Sequence, residues 1–167
     1  MRSGPALHVF ALFLAFQACA NAMDSEPLKD PDPTTRRKAI RSQVEAGHKL
    51  PLETVQGLLA DLDADVRAEA VYYCDTLRVR QAVPSLEPLL KDPDARIRRG
   101  VAGALGNLGS RGSCKAISPL LEDKDPEVRS AAVWALGMLR DTASTGAITV
   151  LLKDKDPKVR RMTAHKC

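Results

Sequence analysis

Histidine is almost missing from this sequence. Of three in 167 residues, only His48 and His165 lie beyond residue 22, and neither has a neighbouring Glu or a second His at metal-ligand spacing. The four cysteines form no CxxC and no Cys/His cluster. That pattern supports neither a metal site nor a disulfide framework, and no cofactor is expected. Aromatic residues are just as scarce, with one Trp, two Tyr and three Phe. Long apolar runs are lacking too: Ala6 to Phe16, broken only by His8, is eleven residues and too short to span a bilayer as a stable helix. Nor is there a strong excess of one charge. Setting aside residues 1–22, whose only charge is Arg2, leaves a basic surplus of three, too small to argue for nucleic acid.

The short apolar run suits the core of an export signal. Two small-x-small cleavage frames follow it, Ala18-Cys19-Ala20 and Ala20-Asn21-Ala22. A competing pattern is a bacterial lipoprotein leader with Cys19 as the lipidated residue, although Phe16 and Gln17 stand where Leu and a small residue are usual. Both routes place the chain outside a bacterial cytoplasm, periplasmic or lipid-anchored to the envelope, with a lipid at Cys19 as the one membrane contact. Residues 1–22 are therefore read as a leader, 23–33 (MDSEPLKDPDP) as an exposed linker, and 34–167 as the folded domain.

What the sequence has in quantity is repetition. Sliding it against itself by 31 residues, with no insertion or deletion, aligns Arg36, Arg67, Arg98, Arg129 and Arg160 in one column. Asp32, Asp63, Asp94, Asp125 and Asp156 form a second, Asp30, Asp61, Asp92, Asp123 and Asp154 a third, and Leu28, Leu59, Leu90, Leu121 and Leu152 a fourth. A fixed period in this range marks a solenoid, whose unit buries its apolar face only by stacking on copies of itself.

The fourth copy shows the unit most clearly. Asp125-Pro126-Glu127 is a helix start: Asp accepts from free N–H groups, Pro loses no bond in the first turn, and Glu suits the positive end of the dipole. Val128, Ala132, Ala135, Leu136 and Leu139 then form one apolar stripe of helical period. Upstream, AISPLL (Ala116 to Leu121) and, one copy earlier, VPSLEPLL (Val83 to Leu90) end shorter helices. Each unit is thus two helices around an Asp-rich turn. First helices are predicted near 51–60, 82–91, 113–122 and 144–153, and second helices near 34–46, 64–78, 95–108, 126–140 and 157–166.

The stretches AVPSLEPLLKDPDARIRRGVAGALGNLG (Ala82 to Gly109) and AISPLLEDKDPEVRSAAVWALGMLR (Ala116 to Arg140) resemble the HEAT-like repeats of phycobilin lyases. The resemblance runs from about Leu28 to the C-terminus. It implies an all-α, right-handed α-solenoid of stacked two-helix repeats, in which second helices line a concave surface. For activity it is nearly silent, because such repeats serve mostly as scaffolds for other proteins.

Several positions depart from the repeat. In the first copy Thr35, Ser42 and Gln43 fill columns that are apolar elsewhere, as expected of a water-facing cap; Thr163 and Lys166 do so in the last, which marks either a polar cap or a fragment of a longer array. Gly100, Gly103, Gly106, Gly109 and Gly112 recur every third residue; small residues in a crowded helix and a helix-ending loop account for them. Cys74 shares a column with Leu105 and Leu136 and is expected to be buried, whereas Cys114 is the thiol expected at the surface.

The sequence points to no catalytic group. The carboxylate pair Asp123 and Asp125 repeats in every turn, and a catalytic pair has no need of five copies. Deoxyhypusine hydroxylase, an enzyme of similar architecture, binds iron through His-Glu pairs that this sequence lacks. The expected function is a non-catalytic scaffold that docks another protein, with an enzyme or accessory subunit of phycobilin-lyase type as the alternative. Two sets of residues carry this expectation. Asp61, Arg67, Asp92, Arg98, Asp123 and Arg129 form a structural ladder in which each Arg bonds turn carboxylates of its own or an adjacent repeat. Tyr72, Arg99, Trp134 and His165 form a stripe opposite the buried face of the second helices, suited to gripping a partner segment. Whether these rings face a partner or merely cover gaps between helices stays open on sequence alone.

Overall fold

The computed structural model describes residues 26–166, in which all regular structure is helical. Residues 1–22, read above as a leader with Cys19 as the lipidation candidate, lie outside the described residues, as does Cys167. The α-helices in order are α1 (Pro33–Ala46), α2 (Leu52–Leu59), α3 (Ala64–Thr76), α4 (Val83–Leu86), α5 (Ala95–Leu108), α6 (Cys114–Ile117), α7 (Pro126–Leu139), α8 (Thr145–Val150) and α9 (Pro157–Lys166). Odd-numbered helices are the second helices of the five units, and they stack in one row, each on the next.

The Asp column starts them. Asp32, Asp63, Asp94 and Asp125 sit at N-cap positions in extended backbone, and each carboxylate accepts from N–H groups of the first turn, such as Glu127 N–H to Asp125. The ends are as regular. Gly47, Arg78, Gly109 and Arg140 stand 31 residues apart, and all four have positive φ, at 67°, 55°, 71° and 55°. Gly adopts this left-handed turn without cost, whereas the two Arg residues are strained by on the order of 1 kcal/mol. Arg78 gains a bond in return, donating from Nη1 to the Asn107 carbonyl at 2.6 Å.

First helices are less uniform than the repeat predicts. In the second unit α2 runs unbroken, but α4 and α6 are single turns that pass into 3-10 turns at Glu87–Lys91 and Ser118–Glu122. Pro88 and Pro119 fall in these turns, in the column where α2 carries Gly57. Proline has no N–H for the α-helical ladder and its ring crowds the carbonyl four residues back, so the chain tightens there.

Burial follows the columns. Val66, Ile97, Val128 and Val159 are fully enclosed, and the column of Ala70, Val101 and Ala132 keeps the stacked helices close. Gly106 marks the tightest approach: a methyl placed on it would stand 2.8 Å from Trp134 Cζ3 and 3.0 Å from Ala135 Cα. No such crowding meets Gly103 or Gly112, so the glycine triplets do not share one cause. Tyr73, also enclosed, ties down the loop after α1, accepting from Leu50 N–H at 2.6 Å and donating to the His48 carbonyl at 3.1 Å.

Four expectations need correction. The stretch read as an exposed linker contains a helical turn, Glu26–Lys29, and buries Leu28 in its repeat column. Gln43 and Thr163, read as water-facing cap positions, are buried because the column geometry turns them inward whatever their polarity, and the Thr163 hydroxyl donates to the Val159 carbonyl at 2.8 Å. Cys114 is buried as well, since α6 lies against α7 and the preceding 3-10 turn, and desolvation pushes its thiol up. Cys74 is enclosed as expected, and burial raises its thiol to about 12.

Candidate partner-docking face

The ladder frames the row of second helices. Arg98 donates from Nε and Nη2 to both Asp123 oxygens at 2.7 and 2.9 Å, and from Nη1 to the Asp92 and Pro93 carbonyls at 2.8 and 3.1 Å. One guanidinium therefore holds its own turn by the backbone and the next turn by the carboxylate. The same fork joins Arg36 to Asp61, Arg67 to Asp92 and Arg129 to Asp154. Each receiving Asp also accepts from the N–H two residues on, as Asp123 does from Asp125 at 2.9 Å. Arg160 makes only the backbone half of the arrangement among the described residues.

This geometry answers a local electrostatic problem. Each of these Asp residues follows a first helix at its negative end, where a carboxylate is unfavourable. The fork compensates it at short range and in near-complete burial, with Arg98 and Asp123 side chains both 8% exposed. Hydrogen bonds from Arg98 hold the Asp123 carboxyl below its ordinary value, and those from Arg129 do the same for Asp154. At Asp61 burial pushes the other way, but the Arg36 fork and the Asp63 N–H outweigh it.

The exposed columns of the second helices look away from this frame. At one end of the row charges are internally matched: Arg37 and Arg96 both pair with Asp65, and Arg41 pairs with Glu69. Tyr72, 54% exposed, lies there in a shallow hollow with Arg41, Val44, Glu45 and Glu69. At the other end a groove of about 600 Å³ runs between α7 and α9. Its floor is Ser130, Trp134 and Met162, and its rim is Glu127, Lys158, Arg161, His165 and Lys166.

The structure divides the proposed stripe. Trp134 and His165 share the groove, Tyr72 belongs to the separate hollow, and Arg99 is exposed and lines neither. One edge of Trp134 closes over Gly106, so the ring covers a gap between helices, and it also lines the groove. Lys158, Met162 and Lys166 were not foreseen. They lie on one helical face at four-residue spacing, a signal available in the sequence but masked by the departure of this copy from the repeat. Among the described residues no group of three or more His, Cys, Asp or Glu is placed to hold a metal, and no helix is long and apolar enough to cross a membrane.

A family model described as HEAT repeats matches residues 25–102, 51–123 and 115–166. No curated protein sequence matches the chain. Among solved structures, the complex of CpcE and CpcF of phycocyanin lyase from Nostoc sp. PCC7120 is similar with a TM-score of 0.77 at 21% identity, over 87% of this chain. The chain spans only 63% of that neighbour's length. A designed armadillo repeat protein in complex with the peptide (KR)4 is similar with a TM-score of 0.64 at 18% identity, over 90% of this chain and 82% of that one. An engineered protein gives 0.71 at 21% identity, over 87% of this chain and 78% of that one. At these identities the likeness concerns the fold.

Proposed function

The chain belongs to the HEAT-repeat family, and from that premise we propose that it is a non-catalytic scaffold, exported from a bacterial cytoplasm, that docks a segment of another protein on its row of second helices. The observation that carries the reading is a division of labour among its side chains. The turn carboxylates, the one repeated feature that could suggest chemistry, are committed to structure: Asp123 is held by Arg98 and the Asp125 N–H, and Asp125 caps α7. The exposed columns of the second helices instead offer Tyr72, Arg99, Trp134, Met138 and His165, side chains with large contact area or charge and no partner role in the frame. Aromatic and Arg residues of this kind concentrate binding energy at protein interfaces.

Export rests on the composition of residues 1–22, by signal cleavage or by lipidation at Cys19. The similarity to the CpcE and CpcF complex favours a second reading, an accessory subunit of phycobilin-lyase type.

Pull-down from envelope extract with wild type and with a Tyr72→Ala, Arg99→Glu double variant tests the docking face, since both side chains are exposed and the frame does not use them. Loss of the captured proteins is expected; an unchanged set means that the face is not the site. Labelled palmitate incorporated into wild type but not into Cys19→Ala marks lipidation, a product beginning at Asn21 or Met23 marks cleavage, and a full-length cytoplasmic product refutes export.

A further inference from the structure

We infer that the groove between α7 and α9 takes an acidic peptide segment carrying one large apolar side chain, a conclusion that rests on the docking reading above. The first observation is the charge balance of the last three second helices. Within α5, α7 and α9 together the only acidic residue is Glu127, and it is already paired with Lys158. Arg96, Arg98 and Arg129 are likewise committed, to Asp65 and Asp94, Asp123 and Asp154. Arg99, Arg161 and Lys166 have no carboxylate within ion-pair distance among the described residues. At the far end of the same row Arg36, Arg37 and Arg41 are each paired with a carboxylate, so Arg161 and Lys166 are the uncommitted cations of the groove itself, with Arg99 on the neighbouring helix outside it.

The second observation is the floor. Trp134 is fixed in place because Gly106 leaves room for its ring edge, and Met162 packs beside it against the core. Lys166 lays its stem against Gly137, where an added methyl would lie 3.0 Å from Cδ, so its ammonium is held near the groove mouth. A fixed aromatic ring and a flexible thioether under a rim of cations suit an aromatic or branched aliphatic side chain flanked by carboxylates. A basic segment meets repulsion from Arg161 and Lys166, and a polyanion without an apolar side chain leaves the floor unfilled. Nucleic acid would need a phosphate track along the row, and the Arg37, Asp65, Arg96 cluster interrupts one.

Trp134 is the only tryptophan of the chain, so its emission reports on the groove directly. The full chain would be titrated with fluorescein-labelled peptides in which Asp and Glu flank a single Phe, in which that Phe is Ala, and in which Lys replaces every acid. An oligo-dT strand serves as a fourth probe. The Phe-bearing acidic peptide is expected to bind with a change in Trp134 emission, and its affinity to fall about tenfold in Arg161→Glu or Lys166→Glu. The Phe-to-Ala peptide should bind about tenfold more weakly, and the Lys peptide not measurably. Equal binding of the Lys peptide, stronger binding of oligo-dT, or acidic binding untouched by either charge reversal would overturn the inference. A random peptide display panned on the same protein separates the two levels of the reading. Selected non-acidic segments that compete at Trp134 refute the acidic assignment alone, whereas segments that bind without touching Trp134 emission, or no binders at all, refute both.

Discussion

Replacing Arg98 with Ala tests the frame at a buried central rung. Three groups lose their donor at once: the Asp123 carboxylate, which keeps only the Asp125 N–H, and the Asp92 and Pro93 carbonyls. Removing one partner of a buried ion pair costs about 3–5 kcal/mol, mostly through the charge left behind. Asp123 can relax toward the surface of its turn, which favours the lower end, about 3 kcal/mol, a large share of the roughly 5–15 kcal/mol that holds a domain folded. Arg37→Ala is the control. That Arg also bonds a carboxylate of the next unit, Asp65, but at 3.3 Å with both side chains about 40% exposed, and exposed pairs contribute about 0–1 kcal/mol. Arg98→Lys should recover less than half of the loss, because an ammonium cannot match both carboxylate oxygens and both carbonyls. Urea titrations followed by circular dichroism and by Trp134 emission would measure all three variants. The two probes must be compared, because a repeat array can unfold from one end. A fall in the midpoint of about 1–3 M with unchanged slope is expected for Arg98→Ala. A loss no larger than that of Arg37→Ala would refute the argument and reduce the ladder to a row of solvated charges.

Acid should weaken the same frame. The Asp61, Asp123 and Asp154 carboxyls titrate below their ordinary value in the folded chain, so the folded state binds fewer protons than the unfolded one; their contribution is complete above about pH 5 and drains away as pH falls below about 4, a dependence that Asp123→Asn should flatten in acid denaturation curves. Gly106→Ala should destabilise by about 1–3 kcal/mol and disturb Trp134 emission, because the new methyl meets the indole, whereas Gly103→Ala meets nothing and should stabilise by about 0.5–1 kcal/mol. Arg140→Gly should raise the melting temperature by relieving a left-handed residue, a gain of about 1 kcal/mol, while Arg78→Gly should gain less because it gives up the bond to Asn107.

The period made most of this architecture legible. Val128 and Asp125 predict the buried face and start of a helix because their neighbours in the same columns, Val66, Ile97 and Val159, Asp63 and Asp94, are put to the same use. What stayed hidden was whatever depends on contact between units rather than on position within one. The direction of each Arg fork, forward to the next Asp and backward only to backbone, follows from the offset of stacked turns. The inward turn of Gln43 and Thr163 follows from column geometry, which overrides the polarity of a single residue, whereas Cys114 is covered by the elements packed on its helix, its column mates Leu52 and Thr145 being exposed. Proline at positions 88 and 119 carried its signal openly, but the change from α-helix to 3-10 turn is not proline's alone, since α8 makes it at Leu151–Lys153 with Val150 in the same column, and only α2 runs uninterrupted.

A repeat protein separates its two tasks by column, and the variation from unit to unit shows which column serves which. Columns that hold the frame scarcely vary: Arg at 36, 67, 98 and 129, Asp at 61, 92, 123 and 154, with the same fork at each rung. The exposed column of the second helices holds Arg41, Tyr72, Gly103, Trp134 and His165, no two alike. Stacking demands nothing of that column beyond tolerable size, since at Gly103 even an added methyl would meet open space. Its content is therefore free to be set by something outside the stack, and the chain places its single Trp there beside uncommitted cations. The same reasoning explains why Trp134 and Gly106 must be read together: the exposed column borrows a space from the frame, and the Trp134 ring that lines the groove has one edge seated over Gly106 of α5.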